Sequence, residues 1–216
     1  YEEFKKKGYF IVPLPKDHRP EPTFRSFYEK GEGLETPSGK IEFFSQRIYK
    51  YLSEDPERPP VPHHIPSWEG PTSPLSEKYP LQLITPHARY SFHTQHENVS
   101  WIRSISLHRV YKDGYNYWPV QIHPSDASPR GIEDGDLVRA YNDRGSVLLI
   151  AKITERVRPG TVHSVTGGMY DPVEPGKVGS LDRGGAVNLL MPSRLMSSNA
   201  PGQVTQGLIQ IEKWEE

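Results

Sequence analysis

Proline is the feature that most restricts what this chain can fold into. The chain has 22 prolines among its 216 residues, and most of their clusters fall in the first 80 positions. Each proline fixes φ and removes an amide donor, which excludes a compact helix bundle here. The run Asp-Pro-Glu-Arg-Pro-Pro-Val-Pro at 55–62 is too rich in proline for regular structure. We therefore expect residues 1–79 to form an irregular extension that wraps on something outside the chain.

Two short patterns interrupt this extension. Residues 40–43, Lys-Ile-Glu-Phe, alternate like a strand, and residues 45–52 have the spacing of two helical turns. Residues 33–40 superficially resemble a phosphate-binding loop, but they place five residues rather than four between the glycines and no hydroxyl after Lys40. The phosphate-loop interpretation is therefore rejected.

Residues 80–216 are predicted to form a β-barrel. Segment 147–153 is apolar on both faces at its start and then alternates, which fits a closed barrel better than an open sheet. The turn at 142–145 predicts a hairpin with Gly145 at positive φ, and Ser125 is expected to cap a short helical turn. A glycine-rich loop is expected from 167 to 185. The segments rich in β-branched and aliphatic residues are 81–84, 119–123, 137–141, 147–153 and 208–211.

Composition excludes several functions. A formal charge of -1 argues against a nucleic-acid partner bound through bulk electrostatics. The absence of cysteine excludes disulfides, thiolate metal sites and an iron–sulfur cluster held within the chain. The sequence contains no apolar run of about 18 residues, so no membrane span is predicted. The chain opens at Tyr1 in mid-pattern, which we interpret as an excised piece of a longer protein.

The densest candidate chemistry follows the first predicted barrel strand. Residues 85–96 place hydroxyls, imidazoles, an amide and an arginine in one loop, and loops at strand ends are common ligand sites. Arginine offers a planar fork for phosphate, while hydroxyls and amides can read the edge of a heterocycle. Two alternatives are a plain solvated loop and a metal site. The metal site would use His87, His93 and His96, although a loop lacks the fixed geometry that such sites need.

Five motifs in order resemble the C-terminal part of the dimethyl sulfoxide reductase family. The resemblance continues through 157–160 and 185–190, but the segment 164–185 lacks the aromatic-rich pattern that relatives often carry. The motifs are Thr-Pro-Ser-Gly-Lys-Ile-Glu at 36–42, the polar segment 85–95, Ile-His-Pro-Ser-Asp-Ala at 122–127, Gly-Ile-Glu-Asp-Gly-Asp-Leu-Val at 131–138 and Asn-Asp-Arg-Gly at 142–145.

The resemblance implies a mainly β fold, a six-stranded double-psi β-barrel with short helices. It also implies a molybdopterin guanine dinucleotide (bis-MGD) cofactor with molybdenum or tungsten, whose metal ligand lies outside this chain. Carried over by position, the cofactor-binding residues are Thr85, His87, Arg89, Ser91, His93, Thr94, Gln95, Asn188, Gln203 and Gln206.

The chain is accordingly expected to belong to a molybdenum or tungsten oxidoreductase or transhydroxylase and to be inactive alone. Its expected partners are upstream domains of the parent polypeptide and an iron–sulfur subunit, with no nucleic acid and no membrane span. The expected compartment is the cytoplasm, or the periplasm if the parent carries a leader. The alternative is a non-catalytic double-psi barrel that serves as an adaptor or peptide-binding module.

Overall fold

The computed structural model describes residues 1–13, 25–194 and 206–215. The chain divides into two compact units, one formed by Tyr1–Ser53 with Pro59–Pro62 and one formed by Glu54–Arg58 with His63–Glu216. No helix within the described ranges combines the length and apolarity that crossing a membrane requires.

The first unit consists of short helices joined by irregular chain. Its helices are α1 (Glu2–Lys7), α2 (Arg25–Glu29) and α3 (Gln46–Tyr51), and none of them contains a buried residue. Helix α3 confirms the helical turns predicted at 45–52, with Ser45 capping it by accepting a bond from the Ile48 amide. Residues 40–43 form no strand, and Ile41 and Phe43 are exposed. The strand prediction there was wrong because the segment lacks a neighbouring strand to pair with in the described part of the chain.

The second unit contains a closed six-stranded barrel. The barrel strands are β1 (Leu81–Ile84), β4 (Pro119–Ile122), β5 (Leu137–Asn142), β6 (Gly145–Ile153), β7 (Thr161–His163) and β8 (Gln206–Lys213), and a separate hairpin consists of β2 (Val110–Lys112) and β3 (Tyr115–Tyr117). The order around the barrel is β1-β7-β4-β6-β5-β8, with parallel pairs β1–β7 and β4–β6. Strand β8 pairs with β5 and β1 and so closes the barrel, as predicted.

One apolar cluster fills the barrel and fixes its register. Alternate residues of β5 point inward, which gives its strict alternation of buried and half-buried positions, whereas β6 is buried along most of its length. Leu83, Val138, Leu149, Val162 and Ile209 are fully buried within this cluster. A shift of one residue in any strand would expose such side chains, so burial specifies the pairing.

Short helices and 3₁₀ turns join the strands. They are α4 (Ser100–Arg103), α5 (Pro124–Ala127) and 3₁₀ turns at Pro74–Glu77, Ser128–Arg130 and Val187–Leu190. His123 caps α5 by accepting from the Ser125 amide, so the prediction of Ser125 as the cap was wrong by two residues. The hairpin at 142–145 is confirmed, but Gly145 does not adopt a positive φ, because it is already the first residue of β6 and pairs with Asn142, which leaves Asp143 and Arg144 as the turn residues.

Residues before β1 are tied to the barrel unit. Glu69 receives a two-pronged bond from Arg144 at 2.7 and 2.8 Å and accepts from the Leu208 amide at 2.9 Å. The Tyr79 hydroxyl donates to Asp143 at 2.7 Å. The domain boundary expected between residues 79 and 80 stays a prediction.

Candidate cofactor-binding site

Polar residues collect where β1 and β7 end and β8 begins. The pairing of β1 with β7 continues past both strands, because the Ser164 amide donates to Ile84 O at 3.2 Å and the Thr166 amide donates to Pro86 O at 2.9 Å. His87 then lies beside Thr166 in a parallel bridge. Backbone pairing with the segment after β7 therefore continues as far as His87.

Asn188 and Gln206 reach the same end of the barrel from other elements. The Thr166 hydroxyl donates to Asn188 Oδ1 at 3.2 Å, and Gln206 lies opposite Ile84 in the β1–β8 pair. The structure thus brings four of the predicted site residues around the end of β1: Thr85, His87, Asn188 and Gln206. Gln203, also predicted, lies outside the described residues.

We call residues 85–97 the first loop. Arg89, His93, Thr94 and Gln95 are exposed along it, Ser91 is half-buried, and the Thr85 side chain is buried. The His87 and His93 rings meet edge to face, with 4.7 Å between their centroids. In residues 1–13, 25–194 and 206–215 no group of three His, Cys, Asp or Glu side chains is placed to hold a metal ion.

Residues 167–185, the glycine loop, pack backbone against backbone on the first loop and on themselves. A Cβ added to Gly167 would overlap the His93 carbonyl, and one added to Gly168 would overlap Gly185. A Cβ on Gly185, at φ +79°, would enter the indole ring of Trp118. These positions require glycine because no side chain fits between the segments.

The Asp182 side chain stabilises the glycine loop by accepting hydrogen bonds from its backbone amides. Its fully buried carboxylate accepts from the amides of Asp171 at 2.7 Å, Gly184 at 3.1 Å and Ala186 at 2.7 Å. Burial raises the pKa of Asp182, and the bonds from these backbone amides oppose that rise. The loop carries the residues leading to Asn188, so its shape also sets the position of that side chain.

A buried polar cluster, which the sequence analysis missed, lies at the far end of the first loop. Its members are Glu97, His108, Arg109 and Trp118, all at most 4% exposed. Arg109 pairs with the Glu97 carboxylate through Nε at 3.0 Å and through Nη2, and its guanidinium lies 3.7 Å from the Trp118 ring centroid. Burial lowers the pKa of Arg109 to about 10 and lowers the pKa of His108.

Several polar atoms of this region have no hydrogen-bond partner among the described residues. They are Nη1 of Arg109, Nε1 of Trp118 and Oγ of Ser91, together with Oε2 of Glu97 and Nε2 of His108, which lie 3.5 Å from each other. A cleft of about 140 Å³ is lined by His108 and Trp118 of this cluster and by Arg89 and Tyr90 of the first loop. Other lining residues include Gln121 and His163, and burial lowers the pKa of His163.

The donor set fits a large ligand that carries both phosphates and a heterocycle. Arg89 presents an exposed guanidinium that suits phosphate oxygens, and Thr94 and Gln95 present a hydroxyl and an amide that suit ring edges. The Ser91 hydroxyl is buried and unpaired within the described chain, as expected of a group that awaits a partner. The residues present therefore suit a pterin dinucleotide.

Comparisons with known proteins agree with this geometry. Residues 81–203 match the family model described as "Molydopterin dinucleotide binding domain". The chain is 41% identical, over its full length, to the pyrogallol hydroxytransferase large subunit of Pelobacter acidigallici, and 34% identical over 99% of its length to a dimethyl sulfoxide/trimethylamine N-oxide reductase of Cereibacter sphaeroides. It spans only 27% and 25% of those relatives.

The acetylene hydratase of Pelobacter acetylenicus has the same fold over 99% of this chain and 28% of its own, with a TM-score of 0.61 and 20% sequence identity. The family match covers more than half of the chain and starts at the first residue of β1. It includes the first loop, the buried cluster and the glycine loop. The chain therefore belongs to the molybdopterin dinucleotide-binding domains of the dimethyl sulfoxide reductase family.

Proposed function

We propose that this chain holds one side of a bis-MGD cofactor through the ten residues predicted from the sequence, as the C-terminal region of a larger molybdenum or tungsten oxidoreductase or transhydroxylase. The observation that carries the proposal is the convergence of the first loop, Asn188 and Gln206 at one end of the barrel. No single strand provides this set. Three separate elements contribute to it, as ligand sites at strand ends commonly do.

The chain's own contribution is binding and orientation. Arg89 would bind pyrophosphate oxygens, while Ser91, Thr94, Gln95 and Asn188 would bind pterin or guanine edges. When bound, the cofactor supplies the metal centre at which oxidation and reduction occur. The metal's protein ligand is proposed to lie on another part of the polypeptide.

The first unit is proposed to pack on those other parts. Tyr9, Phe10, Ile11 and Val12 are consecutive and each at least 60% exposed, which is unusual for so many large apolar side chains in one short stretch. Burial against further domains would remove them from water. An iron–sulfur subunit and a cytoplasmic location, or a periplasmic one with a leader, remain part of the proposal.

The test uses the complete gene product that carries these 216 residues, purified from a host that makes the cofactor. Its molybdenum, guanine nucleotide and pterin contents are measured per polypeptide, for the wild type and for Arg89→Ala. We expect Arg89→Ala to lower cofactor content at least tenfold under limiting cofactor, since it removes a charge-assisted contact worth about 1.4 kcal/mol or more.

Arg156→Ala is the matched control. Arg156 is an exposed arginine between β6 and β7, and therefore at the barrel end opposite the end of β7. It should leave cofactor content unchanged. A folded wild-type protein without pterin would instead favour an adaptor function, and wild-type cofactor content in Arg89→Ala would remove Arg89 from the site.

A further inference from the structure

The two loops that face the proposed cofactor site are joined by a closed circuit of contacts. It runs from the His93 backbone to Gly167, from Gly168 to Gly185, and from Gly185 to the Trp118 ring. Trp118 then contacts the Arg109 guanidinium, which pairs with Glu97 at the end of the first loop. The circuit thus returns to the loop where it began.

The last two contacts of the circuit are the cation–π contact between Arg109 and Trp118 and the ion pair between Arg109 and Glu97, and both are buried. Glu97 is fully buried, and Arg109 is 4% exposed. A second arginine, Arg103, donates through Nε to the Glu97 carbonyl at 2.6 Å, so the backbone and the side chain of Glu97 are both held. A surface pair would be free to rearrange, whereas this one has a single geometry because the planar guanidinium is stacked on the indole.

The cluster is a costly way to obtain stability alone. Burying an ion pair loses hydration of both charges, and well-packed apolar residues of similar size often stabilise a fold equally well. Nη1 of Arg109 and Nε1 of Trp118 also have no hydrogen-bond partner among the described residues, and Oε2 of Glu97 faces Nε2 of His108 at 3.5 Å. These features indicate a role in which the defined geometry of the pair matters.

We infer that Glu97 and Arg109 are positioning residues that hold the first loop and the glycine loop in the shape that receives the pterin dinucleotide. They do not touch the cofactor in this inference, but act through Trp118 and through the backbone of His93 and Gly185. The inference rests on the proposed function for its ligand. The order of the free loops can nevertheless be measured without that ligand.

The decisive variant replaces both charges, Glu97→Gln with Arg109→Met. Removing both partners avoids an isolated buried charge, so the free energy of unfolding should stay near that of the wild type. We expect amide hydrogen exchange of residues 86–97 and 167–169 in the cofactor-free complete gene product to accelerate at least tenfold, with β5 and β6 unchanged. Cofactor content of the complete gene product should fall at least tenfold.

Two further variants keep the test decisive. Ile209→Val lowers stability through the barrel core and should change neither loop exchange nor cofactor content by more than twofold. If the double variant does not fold, Arg109→Lys retains the charge but loses the planar fork and should give the same loop and cofactor changes as expected above. Wild-type loop protection in a folded double variant or in Arg109→Lys would overturn the inference. A wild type that binds no cofactor would defeat the proposed function, and the loop exchange would still decide the positioning role.

Discussion

The barrel wall and the two loops of the proposed cofactor site are stabilised by different physics. The wall consists of strands whose alternate side chains fill one apolar cluster. The hydrophobic effect that stabilises it is non-directional and is distributed over many side chains. The loops bury few apolar side chains and depend on glycine contacts, one carboxylate and one ion pair. The wall should tolerate substitutions that nearly conserve volume, whereas the loops should not tolerate a methyl group added where two segments are in close contact.

The sharpest test of this contrast adds one methyl group to the glycine loop. Gly185→Ala should lower the free energy of unfolding by about 4 kcal/mol, because the new Cβ overlaps Trp118 and the backbone has a positive φ. Gly176→Ala is the control: its φ is +82°, but no atom lies within 4 Å of the added Cβ. It should cost about 1 kcal/mol from φ alone. Equal losses in urea denaturation would show that packing against Trp118 does not matter.

Truncating a buried side chain in the wall should cause the next largest loss in the free energy of unfolding, but should leave cofactor binding intact. Leu149→Ala removes a fully buried side chain of β6 and should cost about 3 kcal/mol. Leu149→Met, which nearly conserves volume, should cost less than about 1.5 kcal/mol. Under conditions where the alanine variant is still folded, its cofactor content should match the wild type. A selective loss of cofactor from Leu149→Ala would break the proposed separation between wall and loops.

The sequence predicted the wall much better than the loops, for the same physical reason. Five of the six barrel strands follow from runs of β-branched and aliphatic residues, since burial leaves a local pattern. Strand β7 was missed because Thr161–His163 is too short to show alternation. The hairpin of β2 and β3 was also missed, although Asp113-Gly114 at its turn, with φ values of 48° and 82°, is a strong hairpin signal.

The candidate site was predictable only in part. The polar composition of the first loop was visible in the sequence, and resemblance added Asn188 and Gln206. The sequence around Glu97 and Arg109 did not indicate that they form a buried pair, since the same residue types form ion pairs at the surface and in the interior. The role of Asp182 was equally hidden, because its partners are backbone amides that carry no sequence signal.

Asp182 offers a third and smaller test, directed at the loop's internal bonds. Asp182→Asn keeps the shape but replaces one accepting oxygen with a donor that faces backbone amides, which should cost about 2 kcal/mol. The control is Asp134→Asn, whose exposed carboxylate bonds to Lys152 and the Ile153 amide and should cost about 1 kcal/mol or less. Hydrogen exchange should place the Asp182→Asn effect in 167–186. A loss spread evenly over the barrel would contradict this local role.

The smallest effect expected is a pH dependence that originates in the buried cluster. Burial lowers the pKa of His108 below its usual value of 6.5, so the unfolded chain binds a proton near that pH while the folded chain does not. The free energy of unfolding should therefore fall as pH drops below about 6.5, and the loss should continue until the pH passes the folded pKa. One proton is involved, which keeps the effect small.

Urea denaturation of the wild type and of His108→Gln between pH 8 and 5.5 isolates this contribution, because every other titrating group is common to both proteins. The variant should show the shallower decline. His163→Gln is a useful companion, since burial also lowers the pKa of His163, which lines the same cleft but has no contact with Glu97 in the described structure. If both substitutions flatten the curve, desolvation of the imidazoles is the common cause. Parallel curves for the wild type and His108→Gln would mean that His108 is protonated as easily in the folded cluster as in water, and the loop end would then be less enclosed than the wall.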